Sequence, residues 1–543
     1  MRKNDNAVRI ILSSALKNAI LSIGTLAAVI ATILTALIPP LVLERIVNTL
    51  TGGKRPEIAL VLAYFGFILI AGLAESVRES LLAVFGQRIT RSLRHALCGK
   101  LSRLDTSCFV QQTPGEIVSR FVGDVDTVEN LFTGGIIGMA ADLGKIVSIL
   151  AVIFVKAPGL AWMIIALIPV LFVFTRVVQK RMLRAQMDSR AAAASVSSFL
   201  PETLHCIRTV HLLGREGFMR KRYDKAIEDG YHATERTNFY DSVYSPAILI
   251  VSAAVTAVVL VLSASGNPSL RSLFGMSVGT AVAVISYISQ VFTPLESIGM
   301  EIQTVQSAIA GVHRINDFFA LPEKKTGSAD AKEADLCVSV DNVDFSYTAD
   351  TPVLQDITLH ISEGEHVTLT GRTGAGKSTL FKLLLGLYRP QKGSVRIMGR
   401  EAADIPDAEK RKLFGCVEQH FYAPPGTIEE QITLFDPEIT HDDVINATKL
   451  IGLHETIMAL PEGYQTPFSE ARFSQGQRQL LAIARAVAAD PKILLLDEIT
   501  ADLDAETERC VLDALHSAAG GRTVVSISHR LYEERGGRRV EIG

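Results

Sequence analysis

"HVTLTGRTGAGKSTLFKLLLGL" (residues 366–387) is the stretch that decides how the chain folds. Residues 366–370 alternate toward a buried strand, residues 371–378 fit G-x-x-x-x-G-K-[ST], and residues 379–387 have helical spacing. A glycine-rich turn between a strand and a helix is the context a phosphate-binding loop requires. Its glycines let backbone N–H groups wrap a phosphate chain at the helix N-terminus, where the dipole also favours an anion. By that chemistry Lys377 reaches the β- and γ-phosphates of a nucleotide and Ser378 ligates Mg²⁺.

Two further strands lead to the same chemistry. Residues 493–496 are continuously apolar and end at Asp497 and Glu498. An acid at the carboxyl end of a buried parallel strand is where a nucleotide's Mg²⁺ partner belongs, and the adjacent Glu498 can polarise an attacking water as general base. Residues 523–527 form a third strand, ending at Ser528 and His529. A lone histidine is more often structural, but a third strand delivering one to this edge makes His529 a site candidate. Between them lies "ARFSQGQRQLLAIARA" (residues 471–486), a polar Ser-Gln-Gly-Gln cluster running into a helical pattern. Ser474 is a good N-cap, so the stretch reads either as a plain helix cap or as half of a nucleotide site.

The 543 residues are too many for one core, so two or more domains are expected. Hydrophobic residues make up 48% and concentrate in the N-terminal part, while the C-terminal part has the composition of an α/β domain. A hydrocarbon core takes about 20 apolar residues of helix. Runs near that size occur at residues 19–43, 58–74, 146–155, 159–175, 246–270 and 272–295, the third extended by residues 139–143. "KAPG" (156–159) and "SGNPS" (265–269) make tight turns between spans, giving six in all. Lys and Arg gather before the first span and after the second and fourth, so both termini and both long loops are expected in the cytoplasm. Residues 88–104 and 176–200 keep helical periodicity, so the membrane helices continue into the cytosol, with "TPGE" (113–116) and "LLGREGF" (212–218) as turns at the tips. The polar residues 321–335 read as a linker, dividing a transmembrane domain (1–320) from a soluble domain (336–543).

A net charge of −3 gives no field directed at nucleic acid. The six cysteines (Cys98, Cys108, Cys206, Cys337, Cys416, Cys510) lack C-x-x-C or histidine at metal spacing, as reduced structural thiols do. Glu75, Arg78, Asp142, Lys145 and Glu296 lie near the inner ends of spans, as functional groups or as interfacial anchors.

These residues together resemble the ATP-binding cassette family. Walker A (371–378), Walker B (493–497), the following Glu498 and His529 occur in the family's order. Gln419, in "CVEQHFYAPPGTI", matches the Q-loop, and "ADLDAET" (501–507) is similar to the D-loop with Asp504 as its acid. Tyr347 sits where the family places an aromatic residue that stacks on adenine. The signature is usually Leu-Ser-Gly-Gly-Gln; here it is Phe473-Ser474-Gln475-Gly476-Gln477. The N-terminal half resembles the family's exporter-type membrane domain, with "GEIVSRFVGDVDTVENLF" (115–132) like its first cytoplasmic loop.

The resemblance implies an all-α six-helix transmembrane domain followed by an α/β P-loop NTPase domain, in a half-transporter that works as a homodimer or heterodimer. It implies ATP and Mg²⁺ as cofactors, with ATP held by Tyr347, Gly371, Thr373, Gly374, Ala375, Gly376, Lys377, Ser378 and Thr379. Ser378, Gln419 and Asp497 are its metal ligands, and Ser474, Gln475, Gly476 and Gln477 touch ATP bound to the partner. Glu498 activates water, His529 holds the γ-phosphate, and Gln419 links the site to coupling helices. The partners implied are a second half-transporter, the lipid bilayer and an unidentified lipid, peptide or amphiphilic substrate, with no nucleic acid. The place is the plasma membrane, the inner membrane of a bacterium. Export is expected; uptake on the exporter fold, as for metal chelates, and ATPase-coupled sensing are the alternatives. Two departures stand out. "QTPFSEAR" (465–472) lacks the glycine-rich form common before the signature, although Glu470 remains, and residues 530–543 have room for one strand after His529. Gln475 in place of a glycine is tolerated if that position keeps φ below zero, as a first helical turn does.

Overall fold

The computed structural model describes residues 6–112, 114–264, 277–324, 336–348, 351–372, 374–499, 503–527 and 537–542. It divides into two compact units, Met1–Ser102 with Pro114–Leu321, and Arg103–Thr113 with Pro322–Gly543. The short segment Arg103–Thr113 thus groups with the second unit although it lies within the first 320 residues. Its hold is specific: Leu104 bridges Glu323, Lys324 N–H donates to Arg103 O at 2.9 Å, and Arg103 pairs with Glu323 at 3.2 Å. An isolated antiparallel bridge thus ties Pro322–Lys324 to Arg103–Asp105; residues 325–335 of the expected linker lie outside the described residues.

Among the described residues the first unit is built on six long helices: α1 (Ala19–Thr51), α2 (Ile58–Leu101), α3 (Ile136–Lys156), α4 (Pro158–His205), α5 (Glu216–Ala264) and α6 (Val278–Ala320). Among the described residues four candidate membrane spans stand out by length and composition, Ala19–Thr51, Ile58–Leu101, Pro114–Lys156 and Glu216–Ser263. The apolar stretches Pro158–Leu167 and Val278–Pro294 of the other two helices are shorter among the described residues. Large apolar side chains such as Ile20, Ile58 and Leu62 stand exposed along α1 and α2, as suits helices solvated by lipid. Inside, Ile149, Ile153, Leu160, Ile248, Tyr287 and Ile288 form a closed core among α3, α4, α5 and α6. "KAPG" is the expected sharp turn, Ala157 leaving helical geometry and Pro158 opening α4, where its missing N–H is harmless. "LLGREGF" also turns, with Gly214 at φ +60°; "SGNPS" lies outside the described residues.

"TPGE" is corrected. From Pro114 the chain is already helical, Pro114–Ser119, because proline's fixed φ favours the first helical position. The run to α3 then carries two π-turns, Arg120–Asp124 and Leu131–Gly135, flanking Val125–Asn130. This stretch is pinned to its neighbours. Buried Asp124 accepts from Arg314 Nε on α6 at 2.9 Å, and Glu129 accepts from Gln87 and Thr90 on α2 at 2.6 and 3.0 Å. At the opposite end of the helices, buried Glu44 on α1 accepts from Thr280 on α6 at 3.0 Å and pairs with Lys156 on α3 at 3.1 Å.

Among its described residues the second unit holds two sheets. One is antiparallel, in the order β2-β1-β4-β5, from β1 (Val338–Thr348), β2 (Thr351–Ile361), β4 (Lys392–Ile397) and β5 (Arg400–Glu401). The other is parallel, in the order β6-β7-β8-β3-β9, from β3 (His366–Thr370), β6 (Phe414–Val417), β7 (Ile493–Asp497), β8 (Thr523–Ile527) and β9 (Arg538–Glu541). Its central strands are buried on both faces, so every residue of β8 is buried, and the polar side chains there find partners, Thr368 of β3 and Ser526 of β8 sharing a hydrogen bond at 3.0 Å. The helix after the phosphate loop, α7 (Lys377–Leu384), stops before the expected residue 387, since Gly386 at φ +65° reverses the chain.

Candidate nucleotide site

Parallel pairing puts the carboxyl ends of β6, β7, β8 and β3 along one sheet edge, where open α/β sheets bind ligands. The segment after β6 carries Gln419, β7 ends in Asp497 and Glu498, and β3 runs into the phosphate loop. His529, two residues beyond β8, and Thr373 lie outside the described residues.

The loop has glycine where nothing else fits. Gly376 takes φ +93° at the start of α7, and a Cβ there would overlap the Leu354 side chain. Lys377 is buried, its Nζ donating to Gly371 O at 2.8 Å and Arg372 O at 3.1 Å, so the ammonium sits within the loop's curve. Ser378 is exposed, and Thr379 shares a 3.3 Å hydrogen bond with the Tyr347 hydroxyl. The Tyr347 ring stands edge-on to Phe345 and Tyr388, with Lys382 Nζ 5.6 Å from its centroid. That places it beside the phosphate-loop helix.

Three carboxylates crowd the Walker B end. Burial, with the charges of Glu498 and Glu418, holds the Asp497 carboxyl above the usual aspartate range, and Lys382 and Lys377 pull it partly back. Glu498 adopts φ +43°, its N–H donating to Ile527 O at 3.0 Å. A non-glycine residue in that left-handed region is held there by its surroundings, as strained active-site residues are. Among the described residues no group of three His, Cys, Asp or Glu side chains could hold a metal alone. A Mg²⁺ bound by Asp497, the Ser378 hydroxyl, the Gln419 amide and nucleotide oxygens fits this set, because Mg²⁺ takes hard oxygens and few carboxylates.

The signature stretch forms a complete capping box. The Ser474 hydroxyl accepts from Gln477 N–H at 3.2 Å, and Gln477 Oε1 accepts from Ser474 N–H at 2.9 Å, opening α8 (Gln475–Val487). Gln475 is the first helical residue and is not among the positive-φ positions, so its side chain strains nothing. Gly476 is constrained instead: a Cβ there would overlap the Thr507 methyl. Thr507 lies in the first turn of α9 (Ala505–Ala519), whose cap is Asp504, accepting from Glu506 and Thr507 N–H at 3.2 and 3.0 Å. Those bonds hold the Asp504 carboxyl below the usual range. Glu470 pairs loosely with Arg478 at 3.7 Å. Burial and nearby carboxylates push the Cys416 thiol up to about 12, which makes it unreactive.

Residues 21–295 match the family "ABC transporter transmembrane region", and residues 354–501 match "ABC transporter". The chain belongs to the ABC transporter family. Its relatives include the ABC transporter ATP-binding protein exp8 of Streptococcus pneumoniae, 29% identical over 92% of this chain and 86% of that one. The toxin RTX-I translocation ATP-binding protein of Actinobacillus pleuropneumoniae is 31% identical over 87% of this chain and 66% of its own length. A bacterial Atm1-family ABC exporter solved with ATP bound shares the fold, with a TM-score of 0.81 over 97% of this chain and 94% of that one at 23% identity. The transporter thus joins an exporter-type membrane domain to an ATP-binding cassette.

Some of the cassette's contacts carry no sequence signal. The left-handed Glu498, the fit of Gly476 on Thr507, and two bonds from α8 to the Gln419 loop depend on tertiary packing that no local pattern encodes. A motif scan could single out Gly476 as a glycine but not name what it must clear.

Proposed function

We propose that the chain is one half of a dimeric, ATP-hydrolysing exporter of the bacterial inner membrane, with both termini in the cytoplasm. One observation supports the reading: one sheet edge carries the glycine turn ahead of Lys377, the Walker B acid and a candidate base, while Ser474, exposed, caps the signature helix, the position from which we assign it to a second chain's nucleotide. Lys377 and the loop N–H groups bind the phosphates; Ser378, Gln419 and Asp497 hold Mg²⁺, which supplies charge neutralisation. Glu498 takes the proton of the attacking water. The signature N–H groups around Gly476 complete the partner's site, and His529 is assigned to the γ-phosphate. ATP favours closed cassettes and its hydrolysis releases them, a population shift that alternates access to the substrate path. A relative named for leukotoxin export, from Aggregatibacter actinomycetemcomitans and 31% identical over 87% of this chain, supports outward movement of cargo.

Steady-state hydrolysis by the purified, liposome-reconstituted transporter tests this. Glu498→Gln is expected to lower turnover about 100-fold or more, the scale of a lost general base, while retaining bound ATP. Undiminished hydrolysis would remove Glu498 from the mechanism.

A further inference from the structure

Two side chains of α8 grip the main chain of the segment that carries Gln419. Gln479, buried at 4% exposure, donates from Nε2 to Gln419 O at 3.0 Å. Two turns further on, Arg485 donates from Nη1 to Tyr422 O at 3.0 Å and from Nε to Gln431 O at 2.7 Å, with its guanidinium 4.2 Å from the Phe421 ring centroid. The grip spans residues 419–422, which follow the end of β6 at Val417. Gln479 Oε1 is buried without a hydrogen-bond partner among the described residues. An unpaired buried acceptor is destabilising, so the amide is oriented by what its other end donates to. One guanidinium meeting two carbonyls and a ring face uses the planar fork that lysine lacks.

We propose that Gln479 and Arg485 are positioning residues for ATP hydrolysis: they set the Gln419 loop in register with the signature helix. Gln419 is thereby placed by α8 as well as by its own strand. Because Ser474 caps the same helix, a shift of that cap on the partner's nucleotide is transmitted along α8 to Gln419 of this chain's own site. The inference rests on the proposed roles of Gln419 and of the dimer.

The test is a double-mutant cycle in the full-length reconstituted transporter, since residues that act through one another are non-additive. Arg485→Met and Gln479→Met keep apolar bulk and remove the donors. Each is expected to lower kcat about tenfold, with KM for ATP changed less than twofold; the carbonyls left without donors lower the unfolding temperature alike with Gln419 present or replaced, so kcat in the two backgrounds separates positioning from stability. Arg485→Lys, which can still reach one carbonyl, is expected to recover part of the loss. In a Gln419→Ala background the same substitutions are expected to lower kcat less than twofold further. Full multiplicative losses in that background, or unchanged kcat in the single variants, would overturn the inference while leaving the functional reading intact. A parent transporter with no MgATP hydrolysis would overturn the functional reading, and this inference with it.

Discussion

Gly476 of the signature lies against the methyl group of Thr507, so closely that a Cβ at residue 476 would overlap it. Gly476→Ala is therefore expected to force α8 and α9 apart, at roughly 1–3 kcal/mol of overpacking, and to lower ATPase activity about tenfold or more. Thr507→Ser removes the methyl but keeps the hydroxyl that donates to Asp504 at 2.7 Å. The double variant should recover most of the activity and the unfolding temperature. Failure of the serine to rescue would mean that Gly476 is needed for contact with nucleotide alone.

The neighbouring position behaves oppositely. Gln475 opens α8 without positive φ, and its side chain lines a cleft with Gln419, His420, Phe421, Arg478 and Gln479. Restoring the family glycine is expected to change kcat by less than about threefold and to cost roughly 0.5–1 kcal/mol in helix stability. Thermal unfolding and steady-state kinetics of Gln475→Gly check both numbers. A large gain in ATPase would show that the native glutamine cripples the site.

In the membrane unit, Asp124 is buried and the Arg314 side chain, half exposed, caps it. The ion pair raises the hold of Arg314 on its proton, chiefly through the Asp124 hydrogen bond. Arg314→Ala leaves a buried carboxylate without that cation, a loss of about 1–3 kcal/mol. Arg314→Ala with Asp124→Asn should lose less than Arg314→Ala alone, because no charge is then stranded. Thermal unfolding in detergent reads the difference, and equal losses would contradict the pairing.

The cassette was largely legible in the sequence because its chemistry is local. A phosphate loop is a run of eight residues between a strand and a helix; β3 was marked by alternation, β7 by a continuous apolar run and β8 by a short strand-like stretch ending at Ser528 and His529. Their arrival at one edge follows from parallel pairing alone. The membrane helices were legible for a similar reason, apolar length, which is why α1 and α2 emerge near the expected places. "TPGE" failed because proline and glycine read as a turn whether or not proline opens a helix. The π-turns beside Val125 and the ties from Arg485 to Tyr422 stayed hidden, since both arise from long-range packing. Gln475 shows the two levels meeting: the substitution was visible in the chain, but its tolerance depended on a dihedral angle that only the fold supplies.

The central claim is that each ATP is hydrolysed between Lys377 of one chain and Ser474 of another. Co-reconstituting Lys377→Ala chains with Ser474→Arg chains tests it directly, because only a mixed dimer regains one intact site if the two halves belong to different chains. Each variant alone should be nearly inactive, and the mixture should recover MgATP hydrolysis well above either. A mixture no more active than its separate components, from a parent chain that is active alone, would contradict the account.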